Sequence, residues 1–362
     1  MSSSTKKSAI AVRKKSSHLP FYRKKWFLVT VGSGLGIILA VIIAFKVSPW
    51  PGALVIRVVF NRGGSQTLAA MQEKLPDYPV TVLRDQAYKK DDTAAKLDVY
   101  MPRTLADSDQ NLPLVIWTHG GAWLSGDKKD AAPYYERLAD QGFVVVSLNY
   151  SLAPNKTYPT AVHQLNDAYS YLLDQARRFH INPDKIFLAG DSAGSQLSSQ
   201  MATIITNSDY AKEVGVHPNL YPSQLAGIVL YCGIYKMEGL VHPDDTLPKI
   251  VGWGDDVAVW AYSGKRDFQD NPAIREMSPY YHVTKDFPAV FVSGGNADPL
   301  TDAQSKPLAN KLTALGVNVT SLFYDKNHQP ALPHEYQFTF NSDGEQAFAK
   351  MAEFLKAKAR TE

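Results

Sequence analysis

Two short stretches of this chain carry residue types and spacings that can do chemistry. The first, Gly190-Asp191-Ser192-Ala193-Gly194, holds a serine between glycines two residues before and two after it. It follows the apolar run "KIFLAG" and precedes the helical "SQLSSQMATII", which puts it where a strand turns into a helix. So sharp a turn brings the flanking backbones too close for side chains, and it lifts the serine hydroxyl above the sheet. The helix start behind Ser192 also favours a nearby negative charge. The second stretch, His119-Gly120-Gly121-Ala122-Trp123, begins 73 residues before Ser192, directly after "LPLVIWT". Attack of a serine on an ester carbonyl places negative charge on the carbonyl oxygen. A preorganised N–H donor at that position is worth about 2.7–4 kcal/mol by mutagenesis in other enzymes. Consecutive glycines let a loop aim such groups, and the Ala193 N–H would form the opposite wall. His119 reads as a loop anchor rather than a proton carrier.

Positioning these groups requires a rigid sheet, and the sequence supplies one. "LPLVIWTHG" (112–120) is a continuous apolar run ending in glycine, as expected of a strand buried on both faces. "FVVVSLNY" (143–150), "KIFLAG" (185–190), "LAGIVLYCG" (225–233), "PAVFVSGG" (288–295) and "VNVTSLFY" (317–324) repeat the pattern. Between them lie helical stretches such as "YPTAVHQLNDAYSYLLDQARRF" and "DAQSKPLANKLTALG". Strands alternating with helices predict an α/β domain with a mostly parallel sheet covered by helices on both faces. The stretch 234–287 is rich in Trp, Tyr, Asp and Pro and breaks the rhythm, which reads as a cap insertion over one end of the sheet.

The net charge of +3 conceals two regions. Residues 1–46 carry nine Lys/Arg and no acidic side chain, leaving 29 basic against 35 acidic residues in the remainder. The basicity belongs to a tail, and a nucleic-acid surface is not indicated. The single cysteine, Cys232, excludes an intramolecular disulfide and a cysteine-rich zinc site, and its apolar setting reads as a buried structural thiol. Residues 26–45 contain no charge, and a helix of 20 residues spans roughly 30 Å, the thickness of a bilayer core. Eight basic residues precede this span and only Lys46 follows it closely, so the positive-inside rule leaves the N-terminus cytoplasmic. The expected organisation is a basic cytoplasmic tail (1–25), a transmembrane signal-anchor (26–46), a membrane-proximal segment (47–85) and a catalytic domain across the membrane (86–362). Within 47–85 the sequence suggests an apolar stretch, a Gly-Gly turn at 63–64 and a short helix, "SQTLAAMQEKL", packing on the body or resting against the bilayer.

With "HGGAW", "NYSLAPNKTYP" and "GDSAG" in this order, the chain resembles the hormone-sensitive-lipase-like branch of the α/β-hydrolases over roughly residues 86–360. The family's loop usually reads H-G-G-G and its later motif Y-R-L-A-P, so Ala122 and Ser151 depart from it. The resemblance implies oxyanion donors at Gly121, Ala122 and Ala193, with Gly120 shaping the turn, and a chain order of Ser, acid, His. "VSGGNADPLTD" offers Asp298, which matches the family's D-P-L, and Asp302, which reads as helix-dipole compensation. The base is His334 or His328, both in "KNHQPALPHEYQF" between the last strand and the last helix. His328 has the more usual spacing from the strand, whereas His334 has the aromatic two residues on that the family shows, Tyr336. The favoured set is therefore Ser192, Asp298 and His334. Trp123 and the aromatics of 253–281 suggest an apolar pocket for a small-molecule or lipid ester, with no metal or organic cofactor. The acidic "HPDD" (242–245) reads as a solvated loop. Two other readings share these motifs: an amidase or arylformamidase-like hydrolase, and a non-catalytic receptor or adhesion protein on the same fold. Oligomeric state is not legible.

Overall fold

The structure, a computed structural model, describes residue 22 and residues 25–105, 108–241, 249–268 and 270–360; the basic tail before residue 22 and the acidic "HPDD" lie outside them. The chain divides into two compact units, residues 1–48 and 49–362. The first contains α1 (Lys25–Val47), whose side chains are not buried by protein and which is long and apolar enough to cross a membrane.

The second unit opens with α2 (Trp50–Lys74), followed by the strands β1 (Val80–Ala87), β2 (Lys96–Pro102) and β3 (Leu112–Thr118). Next come α3 (Ala132–Asp140), β4 (Val144–Leu148), α4 (Thr160–Asp174), β5 (Ile181–Asp191), α5 (Ala193–Thr206), α6 (Ser208–Val214) and β6 (Leu225–Tyr231). The stretch expected to cap the sheet contains α7 (Glu238–Val241), α8 (Lys249–Ser263) and α9 (Ala273–Glu276). The chain ends with β7 (Val290–Gly294), α10 (Lys306–Ala314), β8 (Val319–Phe323) and α11 (Ser342–Arg360).

The strands form one sheet in the order β1-β2-β4-β3-β5-β6-β7-β8 among the described residues. From β4 to β8 every pairing is parallel, while β2 runs antiparallel to both β1 and β4. Successive residues of a strand face opposite ways, and both faces are buried here. Leu114 and Ile116 of β3 join a core with α4, α5 and α8, whereas Val115 and Trp117 join another with α3 and α11. Along α11, Ala347, Phe348, Met351, Phe354 and Leu355 recur at helical spacing and form its buried stripe.

Two expectations fail locally. Gly63 and Gly64 make no turn, because α2 runs unbroken through them. A glycine in a helix costs about 1 kcal/mol relative to alanine. Burial of Ala53 and Ile56 before the pair and Met71 after it holds the helix on both sides. The sheet also begins earlier than expected, since residue 86 falls inside β1.

The loop leading out of "HGGAW" is fixed to the sheet by a buried ion pair. Lys128 Nζ lies 2.8 Å from Asp98 Oδ1 on β2 and 3.1 Å from Asp85 Oδ1, and both Lys128 and Asp98 are almost fully covered. Breaking a buried pair from one side strands a charge at a cost of about 3–5 kcal/mol. Lys128→Met is therefore expected to lower unfolding stability by about 3 kcal/mol, and adding Asp98→Asn should recover part of it in a double-mutant cycle read by urea denaturation. Independent, additive losses would contradict the pairing.

Candidate active site

Ser192 stands between the end of β5 and the start of α5 with φ 50° and ψ −120°, a conformation that L-residues avoid. A Cβ added to Gly190 would lie 2.5 Å from the Gly194 carbonyl carbon, and one added to Gly194 would run into the Thr118 oxygen. The glycines two residues either side of the serine are thus required by the approach of α5 to β3 and β5. The turn is held from below: the Ser192 N–H donates to Tyr231 O (2.8 Å). Ser195 Oγ accepts from the Tyr231 N–H (3.0 Å) and donates to Gly190 O (2.6 Å). Ser195 was not singled out by the sequence, where it looks like any polar residue of an early helical turn.

Asp191 joins this turn to the glycine loop. Its Oδ2 accepts the Gly120 N–H (2.7 Å) and its Oδ1 accepts the Trp117 indole N–H (2.7 Å). Burial pushes its carboxyl up to about 7, Glu335 adds to the rise, and the two donated hydrogen bonds oppose it. Gly120 therefore spends its N–H on the loop's own architecture. The N–H groups of Gly121, Ala122 and Ala193 donate to no protein acceptor among the described residues. The loop is left-handed at Gly121 (φ 98°), Ala122 (φ 52°) and Trp123 (φ 59°), so alanine occupies at Ala122 a conformation that glycine takes without strain. His119 Nδ1 sits 2.8 Å from Gly120 O and its ring stacks on Tyr150, the arrangement of a loop anchor. Trp123 is packed away: its ring stacks on Tyr262 with centroids 4.9 Å apart, and its indole N–H donates to Gln196 Oε1 (2.9 Å).

Asp298 follows β7 and is buried, with Oδ1 accepting the Leu300 N–H (2.9 Å) and Oδ2 lying 2.8 Å from His334 Nδ1. The two loops are zipped together. Asn296 Oδ1 accepts the Leu332 N–H (2.8 Å), its Nδ2 donates to His328 O (3.0 Å), and the Ala297 N–H donates to Leu332 O (2.9 Å). The structure thus brings His334, and not His328, to Asp298. His328 Nε2 pairs instead with Asp343 at the start of α11 (3.0 Å), and its ring lies against Tyr324. Asp302 is paired with Lys306 one turn along (2.7 Å).

Burial works to lower the His334 pKa. The Asp298 hydrogen bond and charge, reinforced by Glu335 and Asp191, overrule it and lift the imidazole to about 9. Glu335 Oε1 lies 3.8 Å from the other ring nitrogen, Nε2. On α8, burial with Asp256 alongside pushes the Asp255 carboxyl up to about 6, and the His334 charge pulls it down, so this helix passes near the imidazole. Cys232, Asp298 and His334 are the one group among the described residues with three side-chain donors close enough to share a metal ion. Burial keeps the Cys232 thiol well above its usual range, with Asp298, Glu335 and Asp191 adding to the effect. Protonated sulfur is a poor metal ligand, and His334 Nδ1 is already engaged by Asp298. The thiol is buried, as its apolar surroundings implied.

If Asp298 is what holds the imidazole charged, its removal must reverse the shift. In Asp298→Asn the His334 titration followed by NMR of labelled histidine should fall from about 9 toward the ordinary histidine range, with Glu335 and Asp191 alone left to oppose burial. A titration unmoved by that change would contradict the pairing.

A family model described as BD-FAE matches residues 97–312, which include the serine turn, the glycine loop and Asp298. Carboxylesterase NlhH of Mycobacterium tuberculosis is 28% identical over 246 residues, covering 66% of this chain and 70% of that protein. An esterase of Gibberella moniliformis is 25% identical over 270 residues, 71% of this chain and 79% of its own. Among solved structures, esterase B from Lactobacillus rhamnosis superimposes with a TM-score of 0.75 at 20% identity, covering 86% of this chain and 96% of its own. The esterase from Pyrobaculum calidifontis gives 0.64 at 23% identity, with 85% and 91% covered. These two structures share the fold, and the α/β-hydrolase architecture expected from the motifs is the one present. The family match spans well over half of the chain, which belongs to the BD-FAE family.

Proposed function

We propose that this chain is a serine hydrolase of carboxylic esters, with Ser192 as nucleophile, His334 as general base and Asp298 as the acid that orients it. The observation that carries this reading is the 2.8 Å Asp298–His334 contact, taken together with a serine held at positive φ on a glycine-flanked turn. In the proposed reaction the Ser192 oxygen bonds to the acyl carbon as its proton passes to His334 Nε2. The negative carbonyl oxygen is met by the N–H groups of Gly121, Ala122 and Ala193. His334 then returns the proton to the leaving alcohol, and the acyl group remains on Ser192. Water, deprotonated by the same imidazole, releases the acid. Asp298 stabilises the imidazolium in both halves without taking its proton. The names of the curated relatives, a carboxylesterase and an esterase, favour ester over amide substrates.

The same proposal places the enzyme on a membrane. α1 acts as an uncleaved signal-anchor, with the basic tail cytoplasmic and the catalytic unit on the far side.

Ser192→Ala and His334→Ala are expected to lower kcat for p-nitrophenyl butyrate by about four orders of magnitude or more, while His328→Ala stays within a few-fold of the parent. A collapse in His328→Ala alone would move the base. The pH profile carries the sign of the His334 shift. The base must be neutral, so with its pKa lifted to about 9, kcat/KM of the parent should climb with pH and level off only above about 9. An acid limb centred near the ordinary histidine value would contradict this.

A further inference from the structure

The outer face of α2 is apolar where a surface helix should be polar. Its inner face packs on the body through Gly52, Ala53 and Ile56, with Gly52 close against Val257 and Trp253 of α8. Beside them Leu54, Val55, Val58 and Val59 are exposed, the last two by 68% and 60%. Single exposed aliphatics are ordinary, but a contiguous set on one helix face marks an interaction surface. The apolarity stops at Phe60, and Asn61, Arg62, Ser65 and Gln66 make the next turns polar. On α8, one turn before Trp253, Ile250 is 69% exposed as well.

Chain connectivity names the occupant. Only Ser48 and Pro49 separate α1 from α2, so Trp50 can lie no more than about 11 Å from the last residue of α1. The apolar half of α2 is the half next to that link, with Trp50 at the junction and Arg62 where the polar half begins. Aromatic residues at the boundary and a cation beyond it are the features of a helix lying in a membrane interface. We propose that the first three turns or so of α2, with the start of α8, lie in the boundary between lipid headgroups and acyl chains. This rests on the reading of α1 as a membrane anchor. It has a consequence for substrate. Arg57, on the same helix, donates to Leu124 O (2.7 Å) and Ala153 O (2.8 Å), and Leu124 directly follows Trp123 of the glycine loop. The membrane-bound helix therefore ties the backbone next to the glycine loop to the lipid boundary, where esters with long acyl chains concentrate.

The test uses the full chain in phosphatidylcholine–phosphatidylglycerol vesicles, spin-labelled singly through Val55→Cys, Val58→Cys, Gln66→Cys or Ile38→Cys; the buried Cys232 stays unlabelled. Collision with oxygen against collision with a water-soluble nickel complex reports depth. Labels at 55 and 58 should favour oxygen, and the label at 66 should favour nickel. Labels at 55 and 58 that behave like the one at 66 overturn the proposal, and the label at 38 then shows whether the anchor reading falls with it. Lipid contact at 55 and 58 with water contact at 38 upholds the surface and removes the anchor. Spin–spin broadening at 58 that disappears on dilution with unlabelled protein means a second copy covers the face, which also overturns the proposal.

Discussion

A serine held at positive φ is the constraint on which the rest of the site depends. Such a backbone costs on the order of 1–3 kcal/mol and persists only where its surroundings over-determine it. Here they do. Tyr231 takes the Ser192 N–H, Ser195 ties β5 to β6, and α5 comes so close to β3 that Gly194 has no room for a side chain. Asp191 then carries that rigidity into the glycine loop through the Gly120 N–H, with Trp117 fixing its other oxygen. One buried carboxylate thereby sets the candidate nucleophile and the candidate oxyanion donors against each other. Its raised pKa is the electrostatic consequence of that burial.

The acid and the histidine are held by a separate device, and strand order puts the loop that carries the acid at the same end of the sheet as the serine turn. β5, β6 and β7 are neighbours, so Ser192, Cys232 and the loop carrying Asp298 emerge side by side at one end of the sheet. Asn296 zips the Asp298 loop to the loop carrying His334, its side-chain amide bonding backbone groups whose positions no local motif encodes. Three carboxylates, those of Asp298, Glu335 and Asp191, act on an imidazole whose burial works against its charge. Their combined effect favours the imidazolium. In the proposed reaction that cation forms when Ser192 gives up its proton, so the same field lowers the energy of the state with separated charges.

Much of this was legible in the sequence, for identifiable reasons. Five of the six parallel strands are near-continuous apolar runs because both of their faces are covered, the edge strand β8 being the exception, and the glycines around Ser192 and after His119 answer steric demands that few other residues meet. What stayed hidden depends on contacts between distant segments. β1 alternates irregularly because much of it is exposed at the sheet's edge, so it carried little pattern. The Gly63-Gly64 pair suggested a turn because local propensity says nothing of the packing that holds α2 straight. His328 and His334 sit six residues apart on one loop, and nothing local separates them. Asp343 claims the first and Asp298 the second, through partners 15 and 36 residues away.

The central claim is that the strained turn presents Ser192 as the one activated nucleophile. The most direct measurement is covalent trapping with a p-nitrophenyl alkylphosphonate, followed by peptide mass spectrometry. The account predicts one phosphonyl group per chain, on the peptide containing Ser192, with labelling abolished in Ser192→Ala and slowed by orders of magnitude in His334→Ala. Labelling at another residue, or at the same rate without His334, would contradict it.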